Sequence, residues 1–384
     1  MGIIIVIWGI TLFDHNIIFK NKDNIKEIVD LNKNITTLNI DNNTDGYINN
    51  SEERTIIIYK RMSPAVVNIT SYKTEYVRYF FDVYPQTSEG QGSGAIIDPK
   101  GYVVTNYHVV GEADKVTVSL SQEEDIYEAK IIGVDPENDV AVIKINNISK
   151  TLTSISMGSS KNLRIGQNVY AIGNPFGLDR TLTTGIISGL GRPIKAQNGN
   201  VIEGATQTDA SINPGNSGGP LLDSSGKMIG MNTMIISPSG GSVGLGFAIP
   251  VDTVKDVVDE LIKYGYVKRG WIDATFFPIT PSIAKELDYS VNYGVMVMGV
   301  AKNGEAYNAG LRGGNKKALY RNNIIYIGGE IITSIDGVKI KDYSSLVQIL
   351  KNKKPGETIA VEYYKENKKL NTTIKLIDKR KFVK

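Results

Sequence analysis

Cysteine is absent from this sequence of 384 residues, which excludes disulfide bridges and thiolate metal sites. Histidine is scarce: only His15 and His108 are present, so no metal site and no other cofactor is expected. Excess charge is lacking, with 43 Lys+Arg against 40 Asp+Glu and a formal net charge of +3, so nothing marks nucleic acid as a partner. Nucleotide loops are lacking as well. Gly241-x-x-Gly244-x-Gly246 and Gly189-x-Gly191 do not have the dinucleotide spacing, and no G-K-[ST] follows either. The apolar run Ile3–Phe13 falls short of the roughly 20 residues that a bilayer-spanning helix needs. It fits the core of an export signal or an uncleaved membrane anchor, although the basic n-region and a small-residue cleavage site are missing. A start further upstream is one explanation; a buried helix or strand is the alternative.

What is present is the material of a soluble globular chain, 41% hydrophobic and 22% charged. Residues 14–55 are rich in Asn, Asp, Lys and Glu and read as a flexible polar linker, with a short helix near Ile25–Leu31. From residue 56 the pattern changes to short β-rich runs separated by Gly, Asn and Pro, among them Ala65–Ser71, Tyr102–Asn106, Val140–Ile145, Asn168–Ile172 and Gly246–Ile249. Many short strands without long intervening helices predict a barrel or sandwich. Val254, Val257, Val258, Leu261 and Ile262 then repeat at helical spacing, and Gly265 follows as a C-cap. This predicts a helix closing a first domain at residue 265. A second domain, 266–380, holds further strands, a helix at Tyr343–Lys351 and a Pro355-Gly356 turn.

The chemistry centres on Asn213-Pro214-Gly215-Asn216-Ser217-Gly218-Gly219-Pro220. A serine nucleophile needs backbone N–H groups converging where an oxyanion develops, and glycines permit the backbone angles that this requires. Gly215 and Ser217 would supply the donors, with the Asn216 peptide as the wall between them. Serine also needs a base. His15 abuts the N-terminal apolar run, so His108, at the end of the strand in Val103–Val110, is the candidate by elimination. A carboxylate must hold the imidazole tautomer. Asp139 opens the apolar strand Val140–Ile145; Asp114, Asp135 and Asp209 compete. The order His, Asp, Ser favours Asp139, because it is the order of the chymotrypsin arrangement.

At these residues the sequence resembles the HtrA/Deg family of serine proteases. The matching stretches are Gly92-Ser93-Gly94-Ala95-Ile96-Ile97, TNYHVV ending at Val110, NDVAVIKI from Asn138, AIGNPFGL from Ala171, TQTDASINPGNSGGPL from Thr206 and GFAIP from Gly246. They follow the family order over roughly 200 residues. The resemblance implies a mainly β chain: a chymotrypsin-like double β-barrel protease domain at 56–265, followed by an α+β PDZ domain. It carries over His108, Asp139 and Ser217 as catalytic and Gly215–Ser217 as the oxyanion hole. It also implies a small apolar S1 pocket shaped by Ile212 and Ile235. The cluster Tyr76, Tyr79, Phe80, Phe81 and Tyr84 would be loop core or trimer contact. The family's substrates imply unfolded or misfolded envelope proteins as partners, a homotrimer or higher oligomer, and a periplasmic or extracytoplasmic location with an inner-membrane tether through residues 1–13.

In the second domain, Ala306–Leu311 and Ile331–Gly337 resemble PDZ blocks, and the remaining length accommodates one PDZ domain. A PDZ domain adds a peptide C-terminus as a strand, with backbone N–H groups holding its carboxylate. The matching loop is Gly270-Trp271-Ile272-Asp273. Asp273 stands where the family usually has a second glycine, and an anionic side chain there would repel a carboxylate. That leaves assembly or regulation as the alternative to peptide capture.

Overall fold

Short apolar strands, several of them buried along nearly their whole length, close two barrels. In the computed structural model the described residues are 50–384, apart from 80–81, 121–124, 176, 178–179, 236–242, 322 and 383–384. The N-terminal apolar run and the short helix expected near residue 25 therefore lie outside the described residues. Helix α1 (Asn50–Met62) begins within the stretch expected as linker. It is held to the body by Ile58, which is buried, and by Tyr59, whose hydroxyl donates to the Arg180 carbonyl at 2.9 Å.

The first barrel contains β1 (Val66–Tyr79), β2 (Asp82–Asp98), β3 (Tyr102–Thr105), β4 (Lys115–Ser119), β5 (Ile126–Asp135) and β6 (Val140–Ile145), closed in the order β1-β2-β3-β6-β5-β4. Ile69, Ile96, Val103, Val118 and Ile143, which the register sets on one face, fill it. The short helix α2 (Tyr107–Val110) follows β3. β1 and β2 run on past the barrel as an exposed hairpin carrying Tyr76 and Tyr84, so neither ring is loop core. The Tyr79 side chain, Phe80 and Phe81 lie outside the described residues.

The second barrel comprises β7 (Asn168–Gly173), β8 (Thr181–Lys195), β9 (Val201–Thr208), β10 (Pro220–Leu222), β11 (Met228–Ile235) and β12 (Gly246–Pro250), closed as β10-β11-β12-β9-β8-β7. Helix α3 (Val251–Tyr264) then buries Val254, Val257, Val258 and Leu261. Gly265, at φ 79°, donates its N–H to the Leu261 carbonyl at 2.8 Å and ends the helix as expected. Ile262 departs from the expected apolar face. It is exposed, because a step of about 100° from Leu261 carries it off the buried stripe.

The C-terminal region is built on a sheet ordered β14-β15-β18-β20-β21, with β19 pairing to β18. Its strands are β13 (Gly270–Trp271), β14 (Ala274–Pro278), β15 (Val295–Val300), the hairpin β16 (Lys316–Tyr320) and β17 (Asn323–Ile327), β18 (Ile331–Ile335), β19 (Val338–Lys339), β20 (Thr358–Lys365), β21 (Lys368–Lys375) and β22 (Ile377–Asp378). Helices α4 (Pro281–Glu286), α5 (Glu305–Asn308), α6 (Tyr343–Lys351) and α7 (Lys379–Phe382) complete it. α6 has the expected bounds and starts at an Asp342–Ser345 capping box. β13 pairs with β22, which ties the beginning of the domain to its end. Among the described residues, no helix is long and apolar enough to cross a membrane.

Candidate active site

The site is assembled from turns at the junction of the two barrels. Asn213-Pro214-Gly215-Asn216 forms a turn in which the Asn216 N–H donates to the Asn213 carbonyl at 2.9 Å. Pro at the second position and Gly215 at φ 93° in the third are the residues a type II turn demands. A second turn follows at once, closed by the Gly219 N–H on the Asn216 carbonyl at 3.0 Å. It places Ser217 before Gly218, which has φ 85°. A Cβ on Gly218 would lie 2.1 Å from the Ser93 carbonyl oxygen and 2.3 Å from Thr105 Oγ1, so no larger residue fits there. Among the described residues, no hydrogen bond occupies the N–H of Gly215 or Ser217. Both are free to act as donors to an oxyanion.

His108 lies in α2 just beyond β3, and Asp139 sits at the start of β6. Asp139 is buried and has a left-handed backbone, φ 55°. Its carboxylate receives three groups. The His108 N–H reaches Oδ1 at 3.0 Å, His108 Nδ1 lies 2.8 Å from Oδ2, and the Thr233 hydroxyl donates to Oδ2 at 2.8 Å. Asn106 Nδ2 donates to the Asp139 backbone carbonyl at 3.0 Å. This arrangement fixes the ring with Nε2 free to meet a hydroxyl. Asp135 and Asp209 are engaged elsewhere: Asp135 binds Arg269 at 2.7 Å, and Asp209 accepts the Ile186 N–H at 2.6 Å. Asp114 accepts the Thr74 N–H at 2.8 Å.

Ser217 Oγ donates to the Thr233 carbonyl at 2.9 Å, and no hydrogen bond joins it to His108. The hydroxyl would have to rotate away from Thr233 to meet His108 Nε2. Two polar residues not singled out by their motifs hold this arrangement. Thr233 bridges the Ser217 hydroxyl and the Asp139 carboxylate from the second barrel. Ser93, on β2, donates its hydroxyl to the Gly215 carbonyl at 2.5 Å, and its N–H donates to the Ser217 carbonyl at 2.8 Å. It fastens the nucleophile turn to the first barrel. The position of Ser93 between Gly92 and Gly94 was the one available signal. An open cleft beside His108 is lined by Gly90, Tyr107, Val110 and Asn198.

Ile212 is buried in the second barrel's core with Val169, Ala171, Ile187 and Leu221, and does not line an open pocket. The Ile235 backbone pairs with Gly246; its side chain lies outside the described residues. In the C-terminal region Gly270, Trp271, Ile272 and Asp273 are all buried. The Gly270 N–H donates to the Lys353 carbonyl at 2.7 Å. The Asp273 carboxylate accepts the Ala306 N–H at 2.8 Å and so fastens the start of α5.

Two closed six-stranded barrels, with a histidine–carboxylate pair on one and a serine turn on the other, define a trypsin-like serine peptidase. The chain matches the trypsin-like peptidase domain family over residues 92–231 and the PDZ domain family over residues 279–376. It is 42% identical over 326 residues to "Protease Do-like 1, chloroplastic" of Arabidopsis thaliana, an alignment spanning 85% of this chain and 72% of that protein. It is 37% identical over 331 residues to "Periplasmic pH-dependent serine endoprotease DegQ" of Escherichia coli, spanning 83% of this chain and 69% of that one. The chain spans about half the length of the "Probable periplasmic serine endoprotease DegP-like" of Brucella suis, at 42% identity over 74% of this chain and 52% of that protein. Among solved structures, "HtrA-type protease AlgW with decapeptide" superposes with a TM-score of 0.61 at 34% identity, covering 85% of this chain and 98% of that one. The chain belongs to the HtrA/Deg family of serine endoproteases.

Proposed function

We propose that this chain hydrolyses peptide bonds of unfolded or damaged proteins through an acyl-enzyme, with Ser217 as nucleophile, His108 as base and Asp139 as the carboxylate that orients it. The observation that carries this reading is the buried Asp139 carboxylate on His108 Nδ1 at 2.8 Å, which turns Nε2 outward at the barrel junction. Ser217 Oγ turns from the Thr233 carbonyl to His108, gives its proton to Nε2 and bonds to the substrate carbonyl carbon. The N–H groups of Gly215 and Ser217 hold the oxyanion. His108 then passes the proton to the leaving amine as the C–N bond breaks, and water, deprotonated by the same Nε2, releases the acid and restores Ser217. Ile212 and Ile235 are assigned to a small apolar S1 pocket, which forms only if the Ile212 packing opens.

The periplasmic names of the DegQ and DegP-like relatives support an extracytoplasmic location, with residues 1–13 as the tether to the inner membrane. The exposed Tyr76 and Tyr84 on the β1–β2 hairpin support assembly as a homotrimer or higher oligomer. For the PDZ domain, the unpaired edge of β14 beside α6 supports capture of a peptide C-terminus. The Asp273 carboxylate is turned inward to the Ala306 N–H.

The test is cleavage of casein, and labelling by a fluorophosphonate, by the full chain beside its Ser217→Ala variant. Loss of the nucleophile should lower kcat by about 10⁴–10⁶ and abolish labelling. A variant that still labels and cleaves would remove Ser217 from the role.

A further inference from the structure

The loop that presents Asp139 is gripped by the C-terminal region. β5 ends at Asp135, which pairs with Val140, so Pro136, Glu137, Asn138 and Asp139 make the connection to β6. Three cations of the C-terminal region converge on it. Arg269 Nη2 donates to Asp135 Oδ2 at 2.7 Å. Its Nε lies 2.9 Å from Glu137 Oε2, although that N–H is directed at the Lys351 carbonyl, 3.2 Å away. Lys351, the last residue of α6, donates its ammonium to the Glu137 backbone carbonyl at 2.7 Å and to the Val201 carbonyl at 3.3 Å. Lys379 meets Glu137 Oε1 at 2.5 Å. From the second barrel, Asn198 and Asn200 donate to the Pro136 carbonyl at 2.8 and 3.0 Å.

Four of these groups are nearly or fully removed from water. Side-chain exposure is 9% for Arg269 and 0% for Asp135, and Asn138 and Lys351 are buried as whole residues. Burial pushes the Lys351 ammonium below its ordinary value, with Asp135 and Glu137 opposing. A surface ion pair would hold a loop weakly. A buried network with its hydrogen bonds made holds it in one geometry, and loses that geometry when one member is removed.

We propose that Arg269, Lys351 and Lys379 are positioning residues for catalysis, clamping Asp135–Asn138 so that Asp139 meets His108. This rests on the assignment of Asp139 as the orienting acid. Lys351 also terminates α6, the helix flanking the β14 edge, so a peptide seated at that edge lies one helix away from the clamp.

The experiment compares the full-length wild type with Arg269→Met, Arg269→Lys, Lys351→Met, and the charge swap Glu137→Lys with Lys379→Glu. A displacement of the order of 1 Å at a catalytic group costs up to roughly a hundredfold. Arg269→Met and Lys351→Met should each lower kcat by about tenfold to a hundredfold with KM little changed, and Arg269→Lys should recover part of the loss. The swap should recover only part of what Glu137→Lys alone removes, the Lys379 share, because the introduced lysine still faces Arg269. A second readout does not need turnover: the downfield proton resonance of His108 Nδ1–H, present when Asp139 is in place, should weaken in the methionine variants. Wild-type kcat and an unchanged resonance in both methionine variants would overturn the proposal, even while Ser217→Ala abolishes activity. If the wild type neither labels nor cleaves, the peptidase reading fails, and the His108 resonance alone decides for or against the clamp. Should Arg269→Met not fold, Lys351→Met and the swap carry the same comparison.

Discussion

Asp139 adopts a left-handed backbone that few side chains accept, and Asp is among the few that do. That turn lets the carboxylate face both the His108 ring and the Thr233 hydroxyl while β6 continues into the core. The three residues proposed as a triad could be singled out because each sits in a local pattern with a chemical use: glycines around Ser217, a lone usable histidine, an acid opening an apolar strand. Thr233 was not legible, since its hydroxyl acquires a role only when β11 lies against the other barrel. It nevertheless donates one of the three bonds to Asp139. Thr233→Val keeps the shape and removes the donor. A hydrogen bond to a charged group is worth about 1.5–3 kcal/mol, so kcat/KM should fall by roughly tenfold to a hundredfold. Steady-state kinetics with a folded variant check this, and an unchanged kcat/KM would make the Thr233–Asp139 bond incidental.

At the level of elements, α3 shows what periodicity can and cannot decide. Leu261 is fully buried while Ile262 is 42% exposed, although both are large and apolar. Leu261→Ala should cost about 2–5 kcal/mol, and Ile262→Ala no more than about 0.5 kcal/mol; urea unfolding of the two variants separates them. The start of α3 carries a pH dependence. Burial by itself would raise the Asp252 carboxyl, but the Ser160 N–H at 2.8 Å, the Ser159 and Ser160 hydroxyls and Lys255 hold it below its ordinary value. A carboxyl depressed in the fold contributes stability that is complete above its unfolded pKa of about 3.9 and is lost as pH falls through the folded value. Asp252→Asn should therefore lower Tm at neutral pH, and its gap from the wild type should close as pH drops below about 4. An equal gap at all pH values would assign the loss to packing. The helices α3 and α6 and the buried strand β6 were readable because apolar periodicity and caps are local. The outer arms of β1 and β2 were not, because both faces are wet and no alternation marks them. β9 and β10 were missed for a related reason: β9 is interrupted by polar Glu203 and Gly204, and β10 is three residues long.

Across the whole molecule, the sequence separates two domains that the structure joins through buried charge. Nothing in the residues around Arg269 announces that it will meet Asp135, 134 positions away; only the docking of β13 against the β5–β6 connection creates that pair. Around it lie contacts of ordinary surface strength, such as Lys354 with Glu260, where Lys354 is half exposed. The two kinds should differ in their effect on cooperativity. Asp135→Asn leaves a buried guanidinium short of one carboxylate, a loss of about 3 kcal/mol on the scale of broken buried pairs. That loss falls on the interface and spares both cores. Lys354→Met removes an exposed pair worth no more than about 1 kcal/mol. Differential scanning calorimetry of the wild type should give one transition for the barrels and the PDZ domain together. Asp135→Asn should divide it into two, because the bonds left to Lys351 and Lys379 also surround a buried guanidinium short of one carboxylate, while Lys354→Met should leave one transition with a small shift. If Asp135→Asn merely lowered a single transition, the coupling would rest on the bonds that remain, those of Lys351 and Lys379 to Glu137.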